Sequence, residues 1–326
     1  MRAPAFWAAG VASPWPVLLA PLAALYAAAG SLRWALATPV RLPVPVVCVG
    51  NLVAGGAGKT PAVIALVRHL KQKGRKPHVV TRGYGGTLLG PVAVRLGHAA
   101  ADVGDEALLL AAEATVWVAR DRAAGGQAAV AAGADCVLLD DGFQNPALHQ
   151  DVRLLVIDQA FGLGNGRVIP AGPLRETPAA GFLRADAVIA LRGEGERIEK
   201  LPVPPDIPVF TARLAPGIAL ADIAGTRVVA FAGIGRPAKF FATLRAIGCD
   251  VVAEHAFPDH HKFDPDMVMR LVDEAKAKNA RPVTTAKDAM RLPDSARALI
   301  DVLPVHLLFD DPAAADRLLA PVLQHG

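Results

Sequence analysis

Between residues 44 and 49 the positions Val44, Val46, Val47, Cys48 and Val49 are apolar, with only Pro45 among them. After a glycine-rich interval, Val63, Ile64, Val67 and Leu70 recur at the spacing of one helical face that stops at Gly74. This pattern predicts a buried strand, a turn and an amphipathic helix. Strand-like and helix-like stretches then alternate: "KPHVVTRGYG", "GDEALLLAAEA", "TVWVARD", "GGQAAVAAGA", "DCVLLDDGFQ", "DVRLLVID" and "ADAVIAL". Such alternation predicts an α/β fold, a parallel sheet with helices on both faces. The proline-rich "LPVPPDIPVF", residues 201–210, marks a boundary, and a second series runs from "TRVVAFAGIG" to "VLPVHLLFD". The expected organisation is an apolar segment over residues 1–40, a core over 41–205 and a smaller α/β domain over 206–326.

The first segment breaks the alternation. No charge occurs between Arg2 and Arg33, while Trp7, Trp15, Tyr26 and Trp34 crowd this part of the chain. As a spanning helix it is broken by Pro4, Pro14, Pro16 and Pro21, and its best run, 17–32, falls short of the roughly twenty residues a bilayer needs. As a signal peptide it has a basic start and "AAAG", but a phosphate-binding pattern immediately downstream argues against export. An interfacial helix fits best, with aromatic side chains at headgroup level and Arg2, Arg33 and Arg41 at the flanks. Burying about six large side chains at roughly 1.5–3 kcal/mol each is ample for reversible attachment.

Composition sharpens this picture. Of 326 residues, 53% are hydrophobic, an excess for a soluble enzyme that the first segment helps explain. The net charge of +4 suits an anionic membrane face or a phosphorylated substrate. Nucleic acid is not indicated, because no Lys/Arg run interleaved with aromatic residues occurs. Cys48, Cys136 and Cys249 lie in apolar strand-like runs without C-x-x-C spacing, so they are expected as core thiols rather than disulfides or zinc ligands.

The candidate chemistry begins at "GNLVAGGAGKT". The strict G-x-x-x-x-G-K-[ST] pattern fails at Val53, yet Gly55, Gly56, Ala57 and Gly58 lead into Lys59 and Thr60 between a buried strand and a helix. There the backbone N–H groups can close on phosphate oxygens at a helix N-terminus. Lys59 is expected to reach the β- and γ-phosphates and Thr60 to ligate magnesium. "CVLLDDGFQ" ends a strand at Asp140 and Asp141, carboxylates suited to the magnesium shell or, alone, to a turn. Asp105 and Glu106 open a helix, where they either complement its dipole or supply a base for a hydroxyl acceptor. "HAFPDHHKF" gathers His255, Asp259, His260 and His261, as metal ligands or, since neither cysteines nor a second cluster accompany them, as a histidine tuning a carboxylate across a cleft. Arg175 and Glu176 in "GPLRE" either neutralise phosphate charge or pair at the surface. "GIGRPA", residues 233–238, matches a dinucleotide-binding turn with Glu254 downstream, but Pro237 sits where an amide is wanted.

In this order, "GNLVAGGAGKTP", "TRGYGG", "VGDEALLLA", "LLDDGFQNPALHQD", "GPLRE", "FAGIGRPAKFF", "FPDHHKF" and "TTAKDAMRL" resemble the tetraacyldisaccharide 4'-kinases, the lipid A 4'-kinases of Gram-negative bacteria. The resemblance implies ATP and Mg2+ as cofactors and a lipid A disaccharide 1-phosphate as acceptor. It also implies a peripheral enzyme on the cytoplasmic face of the inner membrane, built as a P-loop core joined to a smaller α/β domain. By the same resemblance Asp105 is the catalytic base, His260 its cross-cleft partner, and Asp140 and Asp141 organise the metal with Thr60 and Glu106. Lys59, Arg175 and Glu176 fall at catalytic positions and Gln144 at a nucleotide position. Family members often carry histidine after the glutamine of "DDGFQ", where this chain has Asn145, so no histidine role transfers there. A membrane-recruited regulatory P-loop ATPase is the alternative, although such proteins place a signature lysine where Ala54 stands.

Overall fold

The computed structural model describes residues 4–56, 58–95, 97–193, 201–217 and 223–324, so expectations for Ala57 lie outside the described residues. The first strands are β1 (Val46–Gly50), β2 (Pro77–Thr81), β3 (Val92–Ala93), β4 (Thr115–Val118), β5 (Cys136–Asp140), β6 (Val152–Asp158) and β7 (Ala187–Arg192). They are followed by β8 (Val209–Pro216), β9 (Arg227–Ala232), β10 (Asp250–Ala256), β11 (Arg281–Thr285), β12 (Asp301–Leu303) and β13 (Val305–Phe309). Nine strands form one sheet in the order β13-β8-β7-β6-β1-β5-β2-β4-β3, and four form a second in the order β10-β9-β11-β12.

β1 is buried along its whole length, as a strand covered on both faces must be. Its alternate residues divide between two cores. Val47 and Val49 pack with Val63, Leu66, Val67 and Leu70 of the helix Lys59–Gln72, whereas Val46 and Cys48 pack with Leu139, Phe143 and Ala129 on the opposite face. The second sheet is likewise covered on both sides, by Phe240, Phe241 and Leu244 on one and Val268, Leu271 and Val272 on the other. The free thiols Cys48, Cys136 and Cys249 are buried, as expected.

The sheet is mixed rather than purely parallel, because β3 and β13 pair antiparallel at its two edges. Sheet membership also departs from a split at 205/206. β8 and β13 both belong to the first sheet, and Leu307, Leu318, Leu319 and Val322 bury themselves in the same core as Val63 and Val67. The chain leaves at Arg227, builds the second sheet and comes back, since the first sheet's apolar face is completed by these late residues.

The N-terminal segment forms the helices Trp15–Leu18 and Ala20–Ala35. Pro16 and Pro21 stand in their first turns, so these prolines start helices. No helix among the described residues is long and apolar enough to cross a membrane. Ala23 packs on the core while Leu22, Leu25, Leu32 and Leu36 are exposed.

Candidate active site

β1 lies between β5 and β6; the chain runs from β1 to β2 on one side and from β6 to β7 on the other, so the loops at the carboxyl ends of these strands face a crevice. Register brings the acidic strand end to the glycine loop. Val49 stands opposite Asp140, and the Asp141 amide donates to Val49 O at 3.0 Å. Gly58 holds φ +80°, and a Cβ there would fall 2.3 Å from Leu191 Cδ1, so both backbone angle and close approach require glycine. The helix starts at Lys59, which like Thr60 is buried.

Lys59 Nζ donates to Asn51 Oδ1 at 3.2 Å and lies 3.6 Å from Asp141 Oδ1. The same Asp141 oxygen accepts from Arg175 Nη1 at 2.7 Å. Gln144 Nε2 donates to Asn51 O and to Glu176 Oε1, each at 2.9 Å, and Arg184 Nη2 closes the chain on Glu176 Oε2 at 2.6 Å. Lys59, Asp141, Gln144, Arg175 and Glu176, more than a hundred residues apart in sequence, therefore form one network. Burial pushes the Asp141 carboxyl up, but Lys59 and Arg175 outweigh it and hold the group below the usual carboxylate range.

Asp140 is treated differently. It is 1% exposed, and neither of its oxygens has a hydrogen-bond partner among the described residues. Burial, then the neighbouring charges of Glu106 and Asp141, push its carboxyl up to about 7. A buried carboxylate without donors is costly unless a ligand completes it. Among the described residues no three metal-ligating side chains are placed to hold an ion alone. That donor set still suits magnesium, which keeps several waters and takes one or two carboxylates plus phosphate oxygens.

A second group meets the first from across the crevice. Asp105, buried at the N-terminus of the helix Asp105–Ala111, has Oδ2 at 3.1 Å from His260 Nδ1 and 3.2 Å from Arg291 Nε. Glu106 Oε1 pairs with Lys287 Nζ at 3.1 Å, and Lys287 also reaches His260 Nε2 at 3.4 Å and Asp259 at 3.7 Å. Burial would raise the Asp105 carboxyl, but the His260 hydrogen bond and the Lys287 and Arg291 charges hold it below its ordinary value. His260 itself takes φ +58° and donates its amide to Gly233 O. The exposed Tyr84 ring lies 5.3 Å from the His260 ring.

Other expected residues lie elsewhere. His255 pairs with Glu274, and His261 stacks on Phe257, so the histidine-rich stretch is not one ligand set. The amide of Gly233 is taken by Asp288 at 3.1 Å, and Glu254 pairs with Arg245, so "GIGRPA" keeps neither the amide nor the acid a dinucleotide would use. Asn51, Lys287 and Arg291 carry site contacts that the sequence reading passed over. The last two sit in the quoted "TTAKDAMRL", where a cation spacing of four residues on one helical face was their only signal.

Comparison with known proteins identifies what the chain resembles. Residues 15–324 match the family described as tetraacyldisaccharide-1-P 4'-kinase. The sequence is 53% identical to the tetraacyldisaccharide 4'-kinase of Rhodospirillum centenum, over 99% of this chain and 97% of that protein. It is 50% identical to that of Rhodospirillum rubrum, over 98% of this chain and 97% of that protein. Among solved structures, the "apo" form of LpxK from Aquifex aeolicus in complex with ATP matches with a TM-score of 0.77 at 27% identity, covering 94% of this chain and 99% of that one.

Proposed function

The chain belongs to the tetraacyldisaccharide 4'-kinase family and carries that activity, a step of lipid A biosynthesis; we propose that Asp105 is the base that takes the proton of the acceptor's 4'-hydroxyl while ATP lies on residues 55–60. In this reading the hydroxyl oxygen forms a bond to the γ-phosphorus, its proton passes to Asp105, and the bond from the γ-phosphorus to the bridging oxygen breaks with its electron pair leaving on ADP. Lys59 and Arg175 face the charge that develops on the transferred group. Thr60, Asp140, Asp141 and Glu106 would hold Mg2+, which supplies charge neutralisation for the phosphates. His260 hydrogen-bonds the base from the second sheet, so the site is complete only with both sheets together. Gln144 and Glu176 brace Asn51 and Arg175 against the glycine loop.

The observation that carries this reading is the pairing of two unlike carboxylates: Asp140, buried near Lys59 without a donor among the described residues, and Asp105, held ionised by His260 and two cations. The first suits a metal and the second a proton. Transfer of label from γ-labelled ATP to the disaccharide 1-phosphate in mixed micelles tests it. Wild type should transfer, Asp105→Asn should lose about 10²–10⁴-fold, and removing Mg2+ with a chelator should stop the reaction. Undiminished transfer by Asp105→Asn would refute the base.

The exposed Trp15, Val17, Leu18, Leu22, Leu25 and Leu36 support a seat on the inner leaflet, with Arg33 and Arg41 toward anionic headgroups. Leu22→Glu with Leu25→Glu should weaken binding to anionic vesicles while leaving the fold intact. Unchanged binding would sink the interfacial seat.

A further inference from the structure

The helix Pro178–Arg184 lies against the loop that follows β1. A Cβ at Gly181 would fall 2.4 Å from Leu52 Cδ2, so helix and loop are in close contact. The segment before the helix is strapped to the same loop, since the Arg175 amide donates to Leu52 O and the Ala54 amide to Pro173 O, each at 2.8 Å. At the helix's end stands Arg184, its side chain 16% exposed and that of its partner Glu176 13%. Nη2 donates to Glu176 Oε2 at 2.6 Å and Nη1 to Ala180 O at 3.1 Å, while Nε has no partner among the described residues. Two rings complete its surroundings. Cζ sits over the Trp34 ring, 4.4 Å from its centroid, and over the Phe143 ring at 5.2 Å. Trp34 belongs to the last turn of the N-terminal helix Ala20–Ala35, where the exposed Arg33 also donates from Nη2 to Gln144 O at 2.5 Å.

From these contacts we infer that Arg184, gripped by Trp34, is a positioning residue for the nucleotide site: the end of the N-terminal helix holds Glu176 in place and, through it, Gln144 and the loop from Asn51 to Lys59. The inference rests on ATP lying at residues 55–60 and names what steadies that loop. Glu176 Oε1 takes Gln144 Nε2, which also donates to Asn51 O, and Asn51 Oδ1 takes Lys59 Nζ. Arginine suits the junction because one planar group can lie on a ring while its edge donates to a carboxylate, a geometry an ammonium cannot reproduce. Tryptophan offers the best ring face for a cation, and more so where water is largely excluded. Because the Arg184–Glu176 pair is mostly out of water, removing the arginine leaves a poorly solvated carboxylate, which regains water only by turning away from Gln144. The N-terminal helix therefore has two tasks on different surfaces. Leu22 and Leu25 are exposed, whereas Trp34 and Arg33 reach back to the site.

The test measures ATP affinity by calorimetry on the full chain in detergent with Mg2+ and no lipid, alongside thermal melting and KM for each substrate. Trp34→Ala and Arg184→Met should each weaken ATP binding about tenfold, the scale of one lost cation–ring contact or charged hydrogen bond. KM for ATP should rise in step, while KM for the acceptor in mixed micelles stays in place. Trp34→Phe keeps a ring face and should restore affinity to within about threefold of wild type. The double variant should bind ATP no worse than Arg184→Met alone, because Trp34 acts through the arginine. Wild-type ATP affinity in Trp34→Ala, or a loss confined to KM for the acceptor, would overturn the inference, and so would losses that add in the double variant. Should Arg184→Met fail to fold, Trp34→Ala and Trp34→Phe decide alone. Lys59→Ala with undiminished ATP affinity refutes the nucleotide reading instead. In that event amide hydrogen exchange of the ATP-free protein decides the buttress: Trp34→Ala should speed exchange over residues 51–56, and unchanged rates there remove it.

Discussion

Asp140 and Asp288 are both buried aspartates beside a glycine-rich turn that joins a strand to a helix, and burial raises the carboxyl of each. Asp288 is met by the Gly233 amide, the Thr285 hydroxyl and Arg291, all from its own sheet. Asp140 has no donor among the described residues. The two turns differ in the same sense. At the second, Gly233 donates to protein and Pro237 has no N–H, whereas at the first no described acceptor takes the amides of Gly55, Gly56 or Gly58. Among the described residues, then, the aspartate at the second turn is satisfied by the protein and the one at the first is left open.

The largest separation should appear in catalysis. Lys59→Ala is expected to cut phosphate transfer about 10²–10³-fold, the loss seen when one donor to developing charge is removed. Arg236→Ala at the second turn should leave transfer near wild type in the same assay, and equal losses at the two turns would erase the contrast.

Stability should move in opposite directions at the two aspartates. Asp288→Ala removes the acceptor for several buried donors and is expected to cost about 3 kcal/mol or more in denaturant unfolding. Asp140→Asn should stabilise the ligand-free protein at high pH. With its carboxyl raised from 3.8 to about 7, Asp140 contributes stability that is fully present below its ordinary value and is lost as pH climbs toward 7. The gain from Asp140→Asn should therefore be near zero in acid and grow to a plateau above neutrality, at about 1.4 kcal/mol per unit of displacement. A gain independent of pH would show that Asp140 is already paired. Because ionisation must precede metal binding, Mg2+ affinity of the wild type should also rise with pH up to neutrality, measured by calorimetry.

The smallest effects distinguish the turns themselves. Gly58→Ala meets both the left-handed φ and the Leu191 methyl, and should weaken ATP binding measurably. Gly235→Ala finds its nearest neighbour at 3.7 Å and no left-handed requirement, so it should stay within about 0.5 kcal/mol of wild type. Equal tolerance at both positions would argue against a built cradle at the first.

Local pattern made much of this legible. The buried β1, the turn and the helix after it were readable because apolar spacing and glycine punctuation act within a few residues. The acidic strand end at Asp140 and Asp141 was visible for the same reason, as was the separate second series. The antiparallel return of β13 was not, because its partner β8 lies about ninety residues earlier and nothing local in "VLPVHLLFD" names that edge. Arg291 was hidden similarly: its spacing from Lys287 suits any solvated helical face, and only its approach to Asp105, far back in the chain, brings it to the site.

By itself, then, the order of residues determined which segments are strands and helices, where phosphate-binding backbone is available, and the family to which the chain belongs. These follow from short-range sterics, side-chain periodicity and motif order. Tertiary structure alone decided which of two buried aspartates stays unsatisfied among the described residues, which histidine of "HAFPDHHKF" reaches Asp105, and which cations surround it. Those outcomes depend on hydrogen-bond partners from distant elements, and a polar group's availability for chemistry is set by whether such partners arrive.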